Sequence, residues 1–165
     1  MKKILLLSAI FISAVTFSQK EIKLDIADAL IIRSLEFSYE QFINTESSFG
    51  VSALFNLAKQ EENFRYNENI MITPYYRHYF TTEYAWNLFG EAFLGINSGK
   101  KEAIKDSDIY DVNYTDAALG VAVGLKYLAN GGLTIDAYAG IGRNLFRSNS
   151  PVLVPRIGVN VGWRL

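Results

Sequence analysis

Read with a period of two, the chain alternates apolar and polar positions in eight separate stretches, the signature of strands with two chemically different faces. They lie near Glu21–Asp28, Leu35–Phe42, Phe49–Ala58, Asn69–Phe80, Trp86–Asn97, Tyr114–Leu128, Leu133–Arg143 and Pro155–Leu165. One side of each is apolar or aromatic: Ile22, Leu24 and Ile26 in the first, Leu119, Val121, Val123 and Leu125 in the sixth, Ile157, Val159, Val161, Trp163 and Leu165 in the last. The closing stretch runs to Leu165. A strand there frays unless both of its edges are paired, and closing a barrel pairs them. The pattern therefore predicts an all-β fold, an eight-stranded antiparallel up-and-down transmembrane β-barrel preceded by a signal peptide.

The opposite sides hold the charge. Lys23, Arg77, Lys126, Arg156 and Arg164 are positive there, and Asp25, Glu36, Glu40, Glu91 and Asp136 are negative. Arg143 alone shares the apolar parity, at a strand end where it can snorkel or mark a bulge. Gly50, Gly95, Gly120, Gly124, Gly140, Gly142, Gly158 and Gly162, with Ala118 and Ala122, also fall on the charged side. That suits a cramped interior and makes a poor solvated surface.

Connections alternate in length. Asn44–Ser48, Thr81–Tyr84 and Ala129–Gly132 are short, and Asn130-Gly131-Gly132 is a tight-turn signal. Lys59–Glu68, Ser98–Asn113 and Asn144–Val152 read as longer polar loops, while Ala29–Ser34 is short on the long-loop side. Short turns at one end and longer loops at the other characterise outer-membrane barrels. Tracing the strands up and down puts Tyr39, Phe49, Phe80, Trp86, Tyr127 and Trp163 on the apolar face at the short-turn end, an interfacial aromatic girdle.

Alternation leaves open which face is outside. A soluble periplasmic calycin-like barrel for a small apolar ligand would turn the apolar face inward, and a membrane barrel does the reverse. Strands of about 9–11 residues, the small residues on the charged face and the balance of charge there favour the membrane.

Composition sharpens the setting. Lys2 and Lys3 precede an apolar run, Ile4 to Phe17, too short to span a bilayer, and Ser18 is a plausible cleavage point that leaves Gln19 first. Residues 1–18 thus read as a signal peptide and 19–165 as the barrel domain. The chain has 16 Lys and Arg against 17 Asp and Glu. Loss of Lys2 and Lys3 makes it more acidic, which gives nucleic acid no basic footprint. There is no Cys, which excludes disulfides and a lipid-anchored cysteine.

With these features in hand, the signal sequence, the eight stretches and the closing strand resemble the small outer-membrane barrels of the OmpX and OmpA-transmembrane-domain type. Tyr75-Tyr76-Arg77-His78-Tyr79-Phe80, Gly140-Ile141-Gly142-Arg143 and the closing strand also resemble a family of secreted barrels known as a domain of unknown function. The resemblance covers Glu21–Leu165. It implies an outer-membrane location, lipid as surroundings, a monomer, and insertion by the barrel-assembly machinery, whose C-terminal signal Gly158, Val161 and Trp163 match in register. Leu165 stands where such barrels usually end in Phe.

Chemistry is sparse. The single His and the lack of Cys leave no zinc set of the usual kinds, and no cofactor is expected. His78 could be the base of a lipid-modifying outer-membrane enzyme, but its same-face neighbours Tyr76 and Phe80 supply no serine nucleophile. Gly140-Ile141-Gly142 is no nucleotide loop, because no helix follows it. Glu36, Glu40, Arg77, Glu91, Lys126, Asp136, Arg156 and Arg164 read as an interior ion-pair network, with Arg77–Glu91 the first pair expected. Tyr75, Tyr79, Phe89, Phe93 and Tyr138 would fill the rest of the lumen. The same carboxylates could do acid–base work or line an ion path, but eight strands leave room for little more than side chains. Recognition, if any, would sit on Lys59–Glu68 and Ser98–Asn113, whose acids could bind a divalent cation. The role expected is non-enzymatic, structural or surface-interacting.

Overall fold

The computed structural model describes residues 19–57, 68–82, 85–105, 108–146 and 150–165. The expected signal segment and most of the Lys59–Glu68 loop lie outside the described residues. Eight strands form: β1 Lys20–Asp25, β2 Ser34–Phe42, β3 Ser47–Asn56, β4 Glu68–Tyr79, β5 Trp86–Lys105, β6 Asp108–Leu128, β7 Leu133–Asn144 and β8 Leu153–Arg164. Each pairs antiparallel with the next, and β1 pairs with β8 through Glu21↔Arg164 to Asp25↔Asn160, closing the barrel. No described helix is long and apolar enough to cross a membrane.

The apolar parity points outward. Leu119, Val121 and Val123 are 60%, 62% and 64% exposed, and Ile22, Phe37, Val51, Ile72, Ile141 and Ile157 are exposed with them. The charged parity points inward: Arg77, Lys23, Glu40 and Asp136 are buried. This orientation contradicts the ligand cup, which needs the reverse. Its cause is the composition of the two faces. Ions buried inside can pair with one another, whereas ions facing lipid could not.

Two elements differ from the alternation reading. β1 stops at Asp25, and a single π-turn, Asp28–Ile32, follows where the first stretch was extended to Asp28. Asp25 Oδ1 accepts the Asp28 main-chain N–H at 3.0 Å and turns the chain there. Arg33 ends the turn in the left-handed region, at φ 56°, its N–H bonded to Asp28 O. The larger correction concerns Ser98–Asn113, which is not a loop. β5 and β6 continue as a two-stranded ribbon up to Lys105↔Asp108. β4 last pairs β5 at Gly99 and β7 first pairs β6 at Ala118. The ribbon therefore runs about 20 Å past β4 on the β5 side and about 33 Å past β7 on the β6 side, at about 3.3 Å per residue. Its strands pair only with each other, so neither shows the alternation that burial of one face imposes.

At the other end, Asn130-Gly131-Gly132 forms the tight turn, with φ of 110° at Gly131 and 95° at Gly132, values glycine adopts without steric cost.

Candidate functional site

Buried ionisable groups of the described fold concentrate in the lumen, which is built from every strand. Alternation delivers each inward position, and the register decides which ones meet. From the turn end, Arg164 Nη2 lies 2.6 Å from Glu21 Oε1. Glu21 Oε2 accepts Lys126 Nζ at 2.7 Å, and Lys126 reaches Glu40 at 3.1 Å. Glu40 is also bonded by Lys23, whose Nζ donates to Asp136 Oδ2 at 2.6 Å. Asp136 accepts Arg77 Nη1 at 2.6 Å, and Arg77 Nε donates to Glu91 Oε2 at 2.6 Å. Glu91 Oε1 then accepts Arg156 Nε at 3.0 Å, and Arg156 Nη1 meets Glu36 at 3.4 Å.

These contacts form one unbroken line of alternating sign: Arg164, Glu21, Lys126, Glu40, Lys23, Asp136, Arg77, Glu91, Arg156, Glu36. All eight ions named from the sequence stand on it. Glu21 and Lys23 complete it: Glu21 joins Arg164 to Lys126, and Lys23 joins Glu40 to Asp136 beside Arg77, whose Nη1 donates to both carboxylates. Both share the inward parity of β1. Glu21 went unassigned because it opens its strand, where alternation has only begun.

Hydroxyls and rings fill the remaining space. Glu40 Oε1 accepts Ser48 Oγ and Tyr79 OH, each at 2.5 Å. The Arg77 guanidinium lies 4.2 Å from the Phe89 ring centre and 4.7 Å from that of Tyr75. Arg156 lies 5.1 Å from Tyr138, and Arg164 4.5 Å from Phe42. Such cation–ring contacts are stronger where water is excluded. Towards the loop end the line gives way to an apolar cluster of Leu54, Met71, Tyr75, Phe93, Ala118 and Val154, which fills the bore. Beyond it Asn97 Nδ2 donates to Asn144 Oδ1 at 2.9 Å, and Ser150 Oγ bonds Asp116. Fixed charges and rings thus occupy the described lumen from the turn end to the loop end.

Asp25, Asp28 and Glu36 bring carboxylate oxygens within 4.8 Å of one another. Asp25 Oδ1 already accepts two main-chain N–H groups, from Asp28 at 3.0 Å and Val159 at 3.3 Å, and Glu36 faces Arg156. The cluster is part of the wall's own bonding.

On the outer wall, Phe49, Phe80, Trp86 and Trp163 are well exposed, Tyr39 less so, and Tyr127 is half-buried. All six stand at the turn end, where Trp86 and Tyr127 rings meet at 5.0 Å and Phe49 meets Tyr76 at 5.2 Å. Arg143 is exposed on the outward parity, opposite Leu119 and Leu153. His78 is not without a serine: Ser47, its register partner on β3, places Oγ 3.5 Å from His78 Nδ1 and 3.0 Å from Tyr76 OH. Alternation along β4 does not reveal this pair, because Ser47 meets His78 only across the β3–β4 register, ahead of the alternating stretch that begins at Phe49.

No known family matches the chain, and no curated protein matches its sequence. Solved structures do match in fold. The N-terminal β-barrel domain of Pseudomonas aeruginosa OprF superposes with a TM-score of 0.63 at 13% identity, over 90% of this chain and 96% of that one. The Yersinia pestis outer membrane protein Ail, in a phospholipid bilayer nanodisc, gives 0.50 at 15% identity over 90% of this chain and 99% of that one. Its crystal form gives 0.50 at 14% identity, over 90% and 97%. The chain has the fold of the small eight-stranded outer-membrane barrels.

Proposed function

We propose that this chain is a non-enzymatic outer-membrane barrel with a sealed lumen, acting on the cell surface through its projecting β5–β6 ribbon. The observation that carries this reading is the pairing of an apolar outer wall with an unbroken interior line of ions. Such a wall is at home in hydrocarbon, and such a lumen neither conducts nor reacts. In this reading residues 1–18 are cleaved after export, and both ends of the barrel sequence face the periplasm. The barrel-assembly machinery reads the closing strand, and the protein remains a monomer with the ribbon outside the cell. The aromatic girdle then sits at the periplasmic interface. The ribbon is the natural recognition element because it stands clear of the wall on a rigid scaffold.

Membrane fractionation, migration of the unboiled protein in detergent gels, and planar-bilayer recording test the reading together. The expected result is membrane association, a faster-migrating folded band and no stable conductance. Recovery in the detergent-free periplasmic fraction, or large stable single-channel currents, would overturn it.

A second reading has one observation behind it, the Ser47–His78 contact on the outer wall. It makes the protein a lipid-modifying enzyme. Mass spectra of lipid A and phospholipids that do not change between wild type, Ser47→Ala and His78→Ala would remove it.

A further inference from the structure

We infer that Gln19, once it is the first residue, exists as its γ-lactam, pyroglutamate, seated on Arg164 at the seam where the barrel closes. The inference rests on the cleavage after Ser18 proposed above.

The seam fixes Gln19 at both of its carbonyls. β1 and β8 pair from Glu21↔Arg164, and the Leu165 N–H donates to Lys20 O at 2.8 Å. One residue earlier, the main-chain carbonyl of Gln19 accepts the Phe42 N–H at 3.0 Å. Its side-chain Oε1 accepts Arg164 Nη1, also at 3.0 Å. Gln19 lines a cavity of about 490 Å³ at the turn end, together with Phe42, Tyr79, Lys126 and Arg164.

The chemistry needs nothing from outside the residue. A neutral α-amine attacks its own side-chain carbon Cδ, forming the N–Cδ bond. The Cδ–Nε2 bond breaks, and Nε2 leaves as ammonia, carrying the proton that the amine gives up. Oε1 stays behind as the lactam carbonyl. No electrons are exchanged with a partner and no co-reactant enters. A guanidinium donating to Oε1 draws electron density from Cδ and steadies the oxyanion that forms on attack, the effect of a donor placed where charge develops.

Electrostatics at the mouth favour the product. Lys23, Lys126 and Arg164 all pair with Glu21, at 3.1, 2.7 and 2.6 Å. A free α-ammonium on Gln19 would bring a further positive charge to the same mouth. The lactam is neutral, and it keeps a carbonyl oxygen as a second acceptor for Arg164 beside Glu21.

The test is the intact mass of the full exported protein isolated from membranes, with peptide-level mapping of its first residues. The expected mass is that of a chain starting at Gln19 less one ammonia, with no α-amine reactive towards amine reagents. A Gln19→Asn variant, one methylene too short to close the same ring, is expected at its full linear mass with a reactive α-amine. In Arg164→Leu the linear fraction is expected to rise several-fold; an unchanged fraction would overturn the placement on Arg164. A wild-type chain that starts at Gln19 with its ammonia retained overturns the lactam and leaves the cleavage reading standing. A chain that starts elsewhere overturns both.

Discussion

At the scale of single residues, Glu91 carries more of the interior than its one position in the sequence suggests. Its two oxygens accept Arg77 and Arg156 separately, at 2.6 and 3.0 Å. It is the link between the Lys23–Asp136–Arg77 part of the line and the Arg156–Glu36 part. Glu91→Leu leaves two buried guanidiniums short of a partner. Removing one member of a buried pair costs about 3–5 kcal/mol, so the variant is expected to unfold at markedly lower temperature, followed by the gel shift of heated samples, without acquiring conductance. Gly50 is a second position of this kind. A Cβ there would lie 2.2 Å from the Tyr75 ring. Gly50→Ala must displace a ring that also shields Arg77 and is expected to cost about 1–3 kcal/mol, the range for overfilling a packed core. Urea titration of the barrel in lipid vesicles measures it.

At the scale of elements, the barrel strands and the ribbon hold together for different reasons. Barrel strands are fixed on both edges, so their alternation is forced by the two environments they separate, and the sequence displays it in all eight. The ribbon has no such wall. Lys100-Lys101-Glu102-Ala103-Ile104-Lys105 lacks any period of two, and only the cross-strand register up to Lys105↔Asp108 makes it a strand. That is why this segment read as a loop. The π-turn was hidden for the opposite reason: Ile26 continues the alternation of Ile22 and Leu24 past the point where Asp25 bends the chain. In the lumen, parity in the sequence identifies which ions face inward, but partners such as Glu21 and Arg164, 143 residues apart, meet only through closure. Shortening the ribbon by joining Lys100 to Asn113 through a two-residue type I′ turn is expected to leave folding intact. The β4–β5 ladder ends at Gly99 and the β6–β7 ladder begins at Ala118. The expected outcome is unchanged heat-modifiable migration, with loss of whatever surface binding the full-length protein shows to whole cells or matrix.

At the scale of the whole molecule, the sorting of faces sets the tolerance to change. A charge introduced in mid-wall has no partner and meets lipid. Val121→Arg is expected to destabilise the barrel by about 2–4 kcal/mol, whereas an arginine at the rim costs far less; equilibrium unfolding in vesicles separates the two. Arg143, natural at the loop-end rim, fits that gradient. The interior line gives the same sorting from the other side. Slipping any strand by one residue would turn its ions to the lipid and its aliphatic side chains to the ions. The network therefore acts as a lock on register, even though pairing buried charges adds little net stability over a well-packed apolar filling.

The β1–β8 seam carries a temporal meaning. During synthesis the segment that becomes β1 emerges first, yet the neighbour on its free border, β8, is the last of the eight to be made. A sheet assembled without β8 has two raw margins that any other extended polypeptide could extend. Local hairpins such as the one around Asn130-Gly131-Gly132 can form early, but sealing must come late, because it joins sites so distant along the backbone. A product that stops before β8 would stay an open ribbon, unable to seat its interior ions and ready for aggregation or proteolysis.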